Sequence, residues 1–499
     1  MIKASWLHHS LEFFYKAERA RFEHSLARPE EAQLQQLKSI LETLPLASKP
    51  SSYGEFAQKH QPTQYLDWQG QILEQKKTGR EILARNILRF EPTSGSTFER
   101  KWVPYSQKFL AEMNAAVAAW VGDLYRLYPE IKDGSHFWSM SWLPEDLRKE
   151  STTDDSEIFP WWQRIFIQKM MTLPQAIGHV PSMEASWFAT LCYGVADSDL
   201  TMISIWSPTF LLKALEDIDH HWSDIQRTLR TGQWAAHAVE LQQLPVPRRA
   251  LSQARPPYEI LWPRLSLLSC WQSSTSKEFA ERLQAKLPAV PQQGKGLWAT
   301  EGVVTIPFQG HYPLAIRSHF YEFRCLDSQK IMPSWQLRNG QTVQPLITGG
   351  HGLLRYELQD QMKVTGFLGH TPCFEFLSRL ASVDLVGEKM SHQSALEILA
   401  QLRRTFAGDF FSLVAIQNPE PQYILVCKGE GLNEKHLEAF VEEKLFHFHH
   451  YRLARELGQL RPAGVRIVQT QRELEQMIFR SQIQGQNKVE PLLLRESLS

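Results

Sequence analysis

The chain has 499 residues, 43% hydrophobic and 22% charged, with 54 basic and 54 acidic residues and a formal net charge of +0. That composition suits a globular protein of about two to four domains, and the balanced charge supplies no global field toward nucleic acid or an anionic membrane. The five cysteines, Cys192, Cys270, Cys325, Cys373 and Cys427, are odd in number, far apart and without a Cys-x-x-Cys pair, so neither a disulfide framework nor a thiolate zinc site is indicated and a reducing, cytoplasmic compartment fits.

Residues 5–44 carry apolar side chains three and four apart (Leu11 and Phe14, then Leu34, Leu37, Leu41 and Leu44), which predicts two helices split at Pro29 and stopped at Pro45. Interspersed Glu12, Glu18 and Glu23 mark the first as an amphipathic helix rather than a targeting peptide. Helices are expected at residues 70–85 and 106–128, the second with a strongly apolar face from Phe109 to Leu124. His136 to Trp142 alternates like a strand, and Leu200 to Trp206 reads as a buried strand before a helix from Thr209 to Asp219. Another helix covers 182–194, Ile260 to Trp271 alternates apolar residues, and a helix covers 276–287. This rhythm of strand and helix predicts a large mixed α/β N-terminal domain. Residues 294–363 turn to short strands punctuated by Gly and Pro, a β-barrel-like part. After Val383 the texture changes again: helix at 391–406, strands at 411–416 and 423–427, a long helix at 433–458, a strand at 465–468 and a last helix at 471–480. That order predicts a small α+β C-terminal domain, with the division at 1–380 and 381–499. No uncharged apolar run approaches the roughly 18 residues that a spanning helix needs.

Four stretches carry candidate chemistry. Thr93-Ser94-Gly95-Ser96-Thr97, followed by Glu99-Arg100-Lys101, groups small hydroxyl residues and cations about one glycine, as a phosphate cradle does and as an ordinary polar turn also does. A Walker loop is excluded, because Lys101 is not followed by Ser or Thr opening a helix. In Gly296-Leu297-Trp298-Ala299-Thr300-Glu301 an indole can stack on a purine while the carboxylate holds a hard divalent cation; the plainer reading is a buried Trp and a surface Glu. Asp360, ending Leu354 to Gln359, can take both hydroxyls of a ribose or can be a turn aspartate. Lys488 lies in Gly485-Gln486-Asn487-Lys488-Val489-Glu490-Pro491, where a tail lysine is ordinarily solvated. His447, His449 and His450 lack partner carboxylates in sequence and read as packing or surface residues. The nucleophile-elbow pattern Gly-x-Ser-x-Gly is absent.

The order of these stretches is more specific than any one of them, and it resembles that of adenylate-forming enzymes. Within them the chain resembles the auxin-responsive (Gretchen Hagen) acyl-acid amido synthetases, through Thr93 to Pro104, Gly296 to Glu301 and Leu354 to Pro372. Tyr53-Gly54, Tyr65-Leu66-Asp67, Trp206 to Phe210 and Leu261-Trp262-Pro263 extend the likeness over nearly the whole chain. It departs from plant members at Phe98, where a second glycine pair is usual, and at Gln359, where glycine is usual. The resemblance implies a carbon–nitrogen ligase that uses ATP and Mg²⁺ to activate a small carboxylic acid as its acyl-adenylate and joins it to an amine or amino acid. It implies that Thr93, Ser94, Gly95, Ser96, Thr97, Lys101, Trp298, Ala299, Thr300, Asp360, Phe367 and Arg379 bind the nucleotide, that Glu301 holds the metal, and that Lys488 meets the charge growing on the bridging oxygen. Trp120, Leu124, Ile205 and Trp206 would line the acid pocket, their aromatic character favouring a hydrophobic acid. The small C-terminal domain would be mobile, and the protein a monomer or weak dimer without nucleic-acid or membrane partners. An acyl-CoA or carrier-protein ligase shares the first half-reaction, and a non-catalytic nucleotide-binding protein shares the fold.

Overall fold

The computed structural model describes residues 4–92, 101–138, 168–252, 254–255, 257–273, 276–379, 382–386, 388, 390–478 and 489–496. It is a mixed α/β structure with three main sheets. In the first, four parallel strands run in the order Ser135–Trp138, Leu200–Ser204, Leu267–Ser269 and Gln292–Gln293. Parallel neighbours need long crossovers, and the helices Met183–Ala196, Pro208–His220 and Ser276–Lys286 lie in them. Side chains alternate between two cores: Ile203 and Leu268 pack with these helices, while Met202 and Leu267 face the helix Gln107–Leu127 and the second sheet. A sheet covered on both faces explains why Leu200–Ser204 is buried throughout.

Helix ends follow the residues that the sequence supplies. Pro29 occupies the first turn of Pro29–Thr43 and separates it from Ala4–Leu26. Ser106 caps Gln107–Leu127 by accepting a hydrogen bond from the Phe109 N–H at 3.1 Å. That helix crosses Ala4–Leu26 so closely that a Cβ at Gly122 would stand 2.3 Å from the Tyr15 carbonyl oxygen. The helix expected at 70–85 instead runs Tyr65–Thr78, because Gly79 takes a left-handed conformation (φ 70°) and ends it. Ile260 to Trp271 divides into a short helix, Tyr258–Leu261, and the strand Leu267–Ser269.

The second sheet is antiparallel. Ile331–Pro333, Phe320–Cys325, Thr342–Thr348, Asp360–Leu368 and Thr371–Arg379 lie side by side, with Tyr356–Glu357 also paired to Thr342–Thr348. The path is open: among the described residues no barrel closes, since Ile331–Pro333 and Thr371–Arg379 remain its two edges.

The third sheet orders Gly464–Ile467, Gln422–Lys428, Phe410–Ile416 and Leu492–Arg495. In Phe410–Ile416 every residue is buried, Phe411, Leu413 and Ala415 toward one core and Phe410, Val414 and Ile416 toward another. The second of these cores includes Phe279 from Ser276–Lys286, so the third sheet packs against the helical layer of the first. The long helix expected at 433–458 is two helices, Glu434–Phe446 and His449–Glu456. The break lets Phe446, Phe448 and Tyr451 all reach the same core. No described helix is long and apolar enough to cross a membrane, and all five cysteines are unpaired and buried.

Three buried histidines make stability depend on pH. Burial lowers His136 to about 4, and His351 to about 3 with the neighbouring His319 adding to the effect; burial lowers His8 to about 2. Unfolded, each takes up a proton from about pH 6.5 downward, so unfolding binds protons and stability falls as pH drops below that value. The urea midpoint is expected to decrease steadily from pH 7 to pH 5; a midpoint unchanged over that range contradicts the neutral burial of these rings.

Candidate active site

A tight hairpin pairs Trp298 with Val303 and Ala299 with Gly302, leaving Thr300 and Glu301 at its turn. Its approach is fixed by glycine. Gly296 has φ 77°, and a Cβ there would stand 2.5 Å from the Thr305 carbonyl oxygen. Buried polar contacts hold the turn from below. His351 Nε2 donates to the Glu301 carbonyl at 3.1 Å while its Nδ1 accepts from the Leu353 N–H at 3.0 Å, so the tautomer is set by its partners. His319 Nε2 accepts from the Val303 N–H at 3.3 Å, and its Nδ1 lies 2.8 Å from the Glu112 carboxylate, which also accepts from the Gly350 N–H at 3.0 Å. Phe109 stacks on both imidazoles. Tyr105 Oη donates to the Thr300 carbonyl at 2.9 Å.

The Glu301 side chain is partly buried, with Tyr356 Oη donating to it at 3.5 Å. Burial raises its carboxyl above the usual carboxylate range and Asp360 adds to this, while Arg379 and Lys101 act in the opposite direction. Asp360 and Arg379 face each other across the pair of strands that end the second sheet. Arg379 Nε lies 3.6 Å from Asp360 Oδ1, and its Nη1 lies 3.5 Å from Glu490 Oε1. Burial works against the charge of this guanidinium, but Asp360, Glu490 and Glu301 outweigh it and raise its pKa above the ordinary arginine value. His392 Nε2 approaches the other Glu490 oxygen at 3.7 Å. Trp298, Arg379, His392 and Glu490 line one cleft. The Trp298 indole in its wall, with the Asp360–Arg379 pair and the Glu301 carboxylate within the reach of the Arg379 charge, suits a purine nucleotide and its metal ion.

Of the residues singled out by sequence, Trp298, Ala299, Thr300, Glu301, Asp360 and Arg379 converge on this region, and Lys101 acts on Glu301 through its charge. Trp120 and Trp206 stand beside Trp298, with ring centroids 6.1 and 5.8 Å from it. Three others do not join them. Phe367 is 43% exposed and lies seven residues along an extended strand from Asp360, on the order of 23 Å away. Leu124 faces a separate small apolar cavity with His8, Tyr15 and His136. Ile205 turns into the helical core behind the first sheet, its N–H tied to the Ser269 carbonyl at 2.9 Å. Thr93, Ser94, Gly95, Ser96, Thr97 and Lys488 lie outside the described residues. Sequence reasoning missed Glu112, His319, His351, His392 and Glu490. Glu490 alone carried a signal, its place two residues after Lys488.

Residues 18–292 match the GH3 family N-terminal domain, and residues 312–379 match the GH3 family central domain. Among solved structures, the chain is similar to the GH3.15 acyl acid amido synthetase, with 16% identity and a TM-score of 0.76 over 95% of this chain and 93% of that one. It is similar also to the AtGH3.15 acyl acid amido synthetase solved in complex with 2,4-DB, with 16% identity and a TM-score of 0.78 over 97% and 95% of the two chains. A comparison with curated proteins by sequence finds no match.

Arg379 is the common counter-charge of three carboxylates, so Arg379→Met is expected to destabilise the protein by about 1–3 kcal/mol at pH 7. Protonation relieves crowded carboxylates that have lost their cation, so the loss should be smaller at pH 5. Urea unfolding of wild type and variant at both values checks this; equal losses would show that the three carboxylates do not depend on Arg379.

Proposed function

The chain belongs to the GH3 family, and we propose that it is an ATP-dependent acyl-acid amido synthetase of the cytoplasm. It activates a small carboxylic acid as the acyl-adenylate and transfers the acyl group to an amine, most simply that of an amino acid. The observation that supports this reading is that Trp298, Arg379 and Glu490, from three regions far apart in the chain, line one cleft, and that Arg379 there is the shared counter-charge of Asp360, Glu490 and Glu301. A carboxylate resists attack by an amine because oxide is not a leaving group. Attack of the acid's oxygen on the α-phosphorus of ATP releases pyrophosphate and leaves AMP as the leaving group for the second step. The amine nitrogen then bonds to the acyl carbon, the carbon–oxygen bond to AMP breaks, and the amine loses a proton.

In this reading Trp298 stacks on the adenine, with Ala299 and Thr300 forming the adjoining backbone. Asp360 accepts from the ribose hydroxyls, and Arg379 orients its carboxylate. Thr93 to Thr97 and Lys101 cradle the phosphates. Glu301 is the ligand for Mg²⁺, which when bound neutralises charge on the phosphates. Its raised pKa means that the metal-binding carboxylate form is lost at a higher pH than for an exposed glutamate. Lys488, two residues from Glu490, supplies positive charge at the bridging oxygen during adenylation. Trp120 and Trp206 form one side of the acid pocket. Residues 1–380 and 381–499 act as two domains, the smaller moving between the half-reactions, and the protein works as a monomer or weak dimer.

Acid-dependent ATP–pyrophosphate exchange tests the reading, followed by product mass with amines or CoA as acceptor. Exchange is expected with hydrophobic or aromatic acids, and an amide product. A thioester alone would reassign the second step, and absence of exchange with every acid would overturn adenylation. Glu301→Gln keeps the shape of the side chain while removing its charge. It should slow exchange about a hundredfold or more, by analogy with the loss of one oxyanion donor, and raise the Mg²⁺ requirement; near-normal exchange would remove the metal role.

A further inference from the structure

The carboxyl ends of the parallel strands hold a second group of side chains. Ser204 closes its strand, and Lys295 follows Gln292–Gln293 by two residues. Ligands of open parallel sheets bind outside these strand ends. Lys295 is only 6% exposed. Its Nζ donates to Ser204 Oγ at 2.7 Å and stands 4.9 Å from the Trp120 ring centroid and 5.0 Å from that of Trp206. Among the described residues no carboxylate pairs with it: the nearby titrating group is Cys270, whose thiol burial pushes up to about 12. Burial lowers the Lys295 ammonium to about 7.

The backbone leaves this lysine little freedom. A Cβ on Gly294 would stand 2.3 Å from Tyr312 Oη, and Gly296 is held by Thr305. The Lys295 carbonyl accepts from Trp298 Nε1 at 2.7 Å, joining it directly to the hairpin that carries Glu301. Trp298 and Trp271, the ring neighbours of Trp206, both line the cleft. A desolvated ammonium with one hydroxyl acceptor and two indole faces is a costly arrangement unless an anion completes it.

We propose that Lys295 and Ser204, walled by Trp120 and Trp206, form the subsite that receives a carboxylate of the acyl acid and thereby determine which acids the enzyme accepts. This deepens the acid-activation reading above and rests on it. The indoles take the hydrocarbon part of the acid, and Lys295 supplies the charge-assisted hydrogen bond that an amide or ester analogue cannot match. The carboxylate is either the reacting group or a second one on the same molecule.

The test compares wild type and Lys295→Met, an apolar side chain of similar length, on paired mono- and dicarboxylic acids of one skeleton. Binding is read by quenching of tryptophan fluorescence, and turnover by ATP–pyrophosphate exchange. Wild type is expected to bind an acid at least about tenfold more tightly than its primary amide, a comparison that needs no variant. Lys295→Met is expected to raise the acid's KM about tenfold or more while kcat changes less than about threefold. An effect on monoacids and diacids alike assigns the reacting carboxylate; an effect on diacids alone assigns the second one. Equal affinity for acid and amide in wild type, or an unchanged KM for both acid types in the variant, overturns the subsite while leaving adenylation intact. Lys295-dependent binding without exchange would instead uphold the subsite and overturn adenylation.

Discussion

One guanidinium holds the cleft together. Arg379 ends the last strand of the antiparallel sheet, faces Asp360 across that strand pair, reaches Glu490 from the C-terminal region, and acts through its charge on Glu301 of the hairpin. Three acidic groups from three regions could not crowd one partly buried site without a cation among them. The contacts at 3.5–3.6 Å are loose for charge-assisted hydrogen bonds. Arg379 therefore acts more as a shared counter-charge than as a rigid clamp, which suits the anionic ligand of the proposed function.

The rest of the fold serves to present this group. The first sheet brings Ser204, Trp206 and Lys295 to one edge because its strands are parallel. The helix Gln107–Leu127 supplies Trp120 on one side and Glu112 on another. Glu112, His319 and His351 then fix the hairpin turn through rings hydrogen-bonded at both nitrogens. Buried hydrogen-bonded networks of this kind rigidify a site, so the side chains of Trp298 and Glu301 stand on a backbone that has few alternatives.

Much of this was legible residue by residue. Pro29 marked a helix end because proline acts locally. The strand Phe410–Ile416 showed itself as a run apolar but for Ser412 because both its faces are covered. The motif around Glu301 was readable because its glycines, indole and carboxylate are consecutive. What escaped depends on distance along the chain. Glu112 and His319 are separated by 207 positions, and nothing local distinguishes either from a surface residue. Leu492–Arg495 follows a polar stretch of sequence and was too short to read, yet it pairs in parallel with Phe410–Ile416 and thereby sets Glu490 beside the cleft. Phe367 stands apart from Asp360 because a motif fixes spacing in sequence, while an extended strand carries its far end away from its start. Lys295 was in plain view between two glycines, but its burial among tryptophans is a tertiary fact.

On the proposed function, the cleft joins the carboxylate oxygen of an acid to the α-phosphorus of ATP. The most direct measurement uses an acid labelled with ¹⁸O in its carboxylate and follows the label by mass spectrometry after complete turnover with an amine acceptor. Adenylation predicts one ¹⁸O transferred to AMP per amide formed, with none in pyrophosphate. Label in inorganic phosphate accompanied by ADP, or AMP without label, would contradict adenylation.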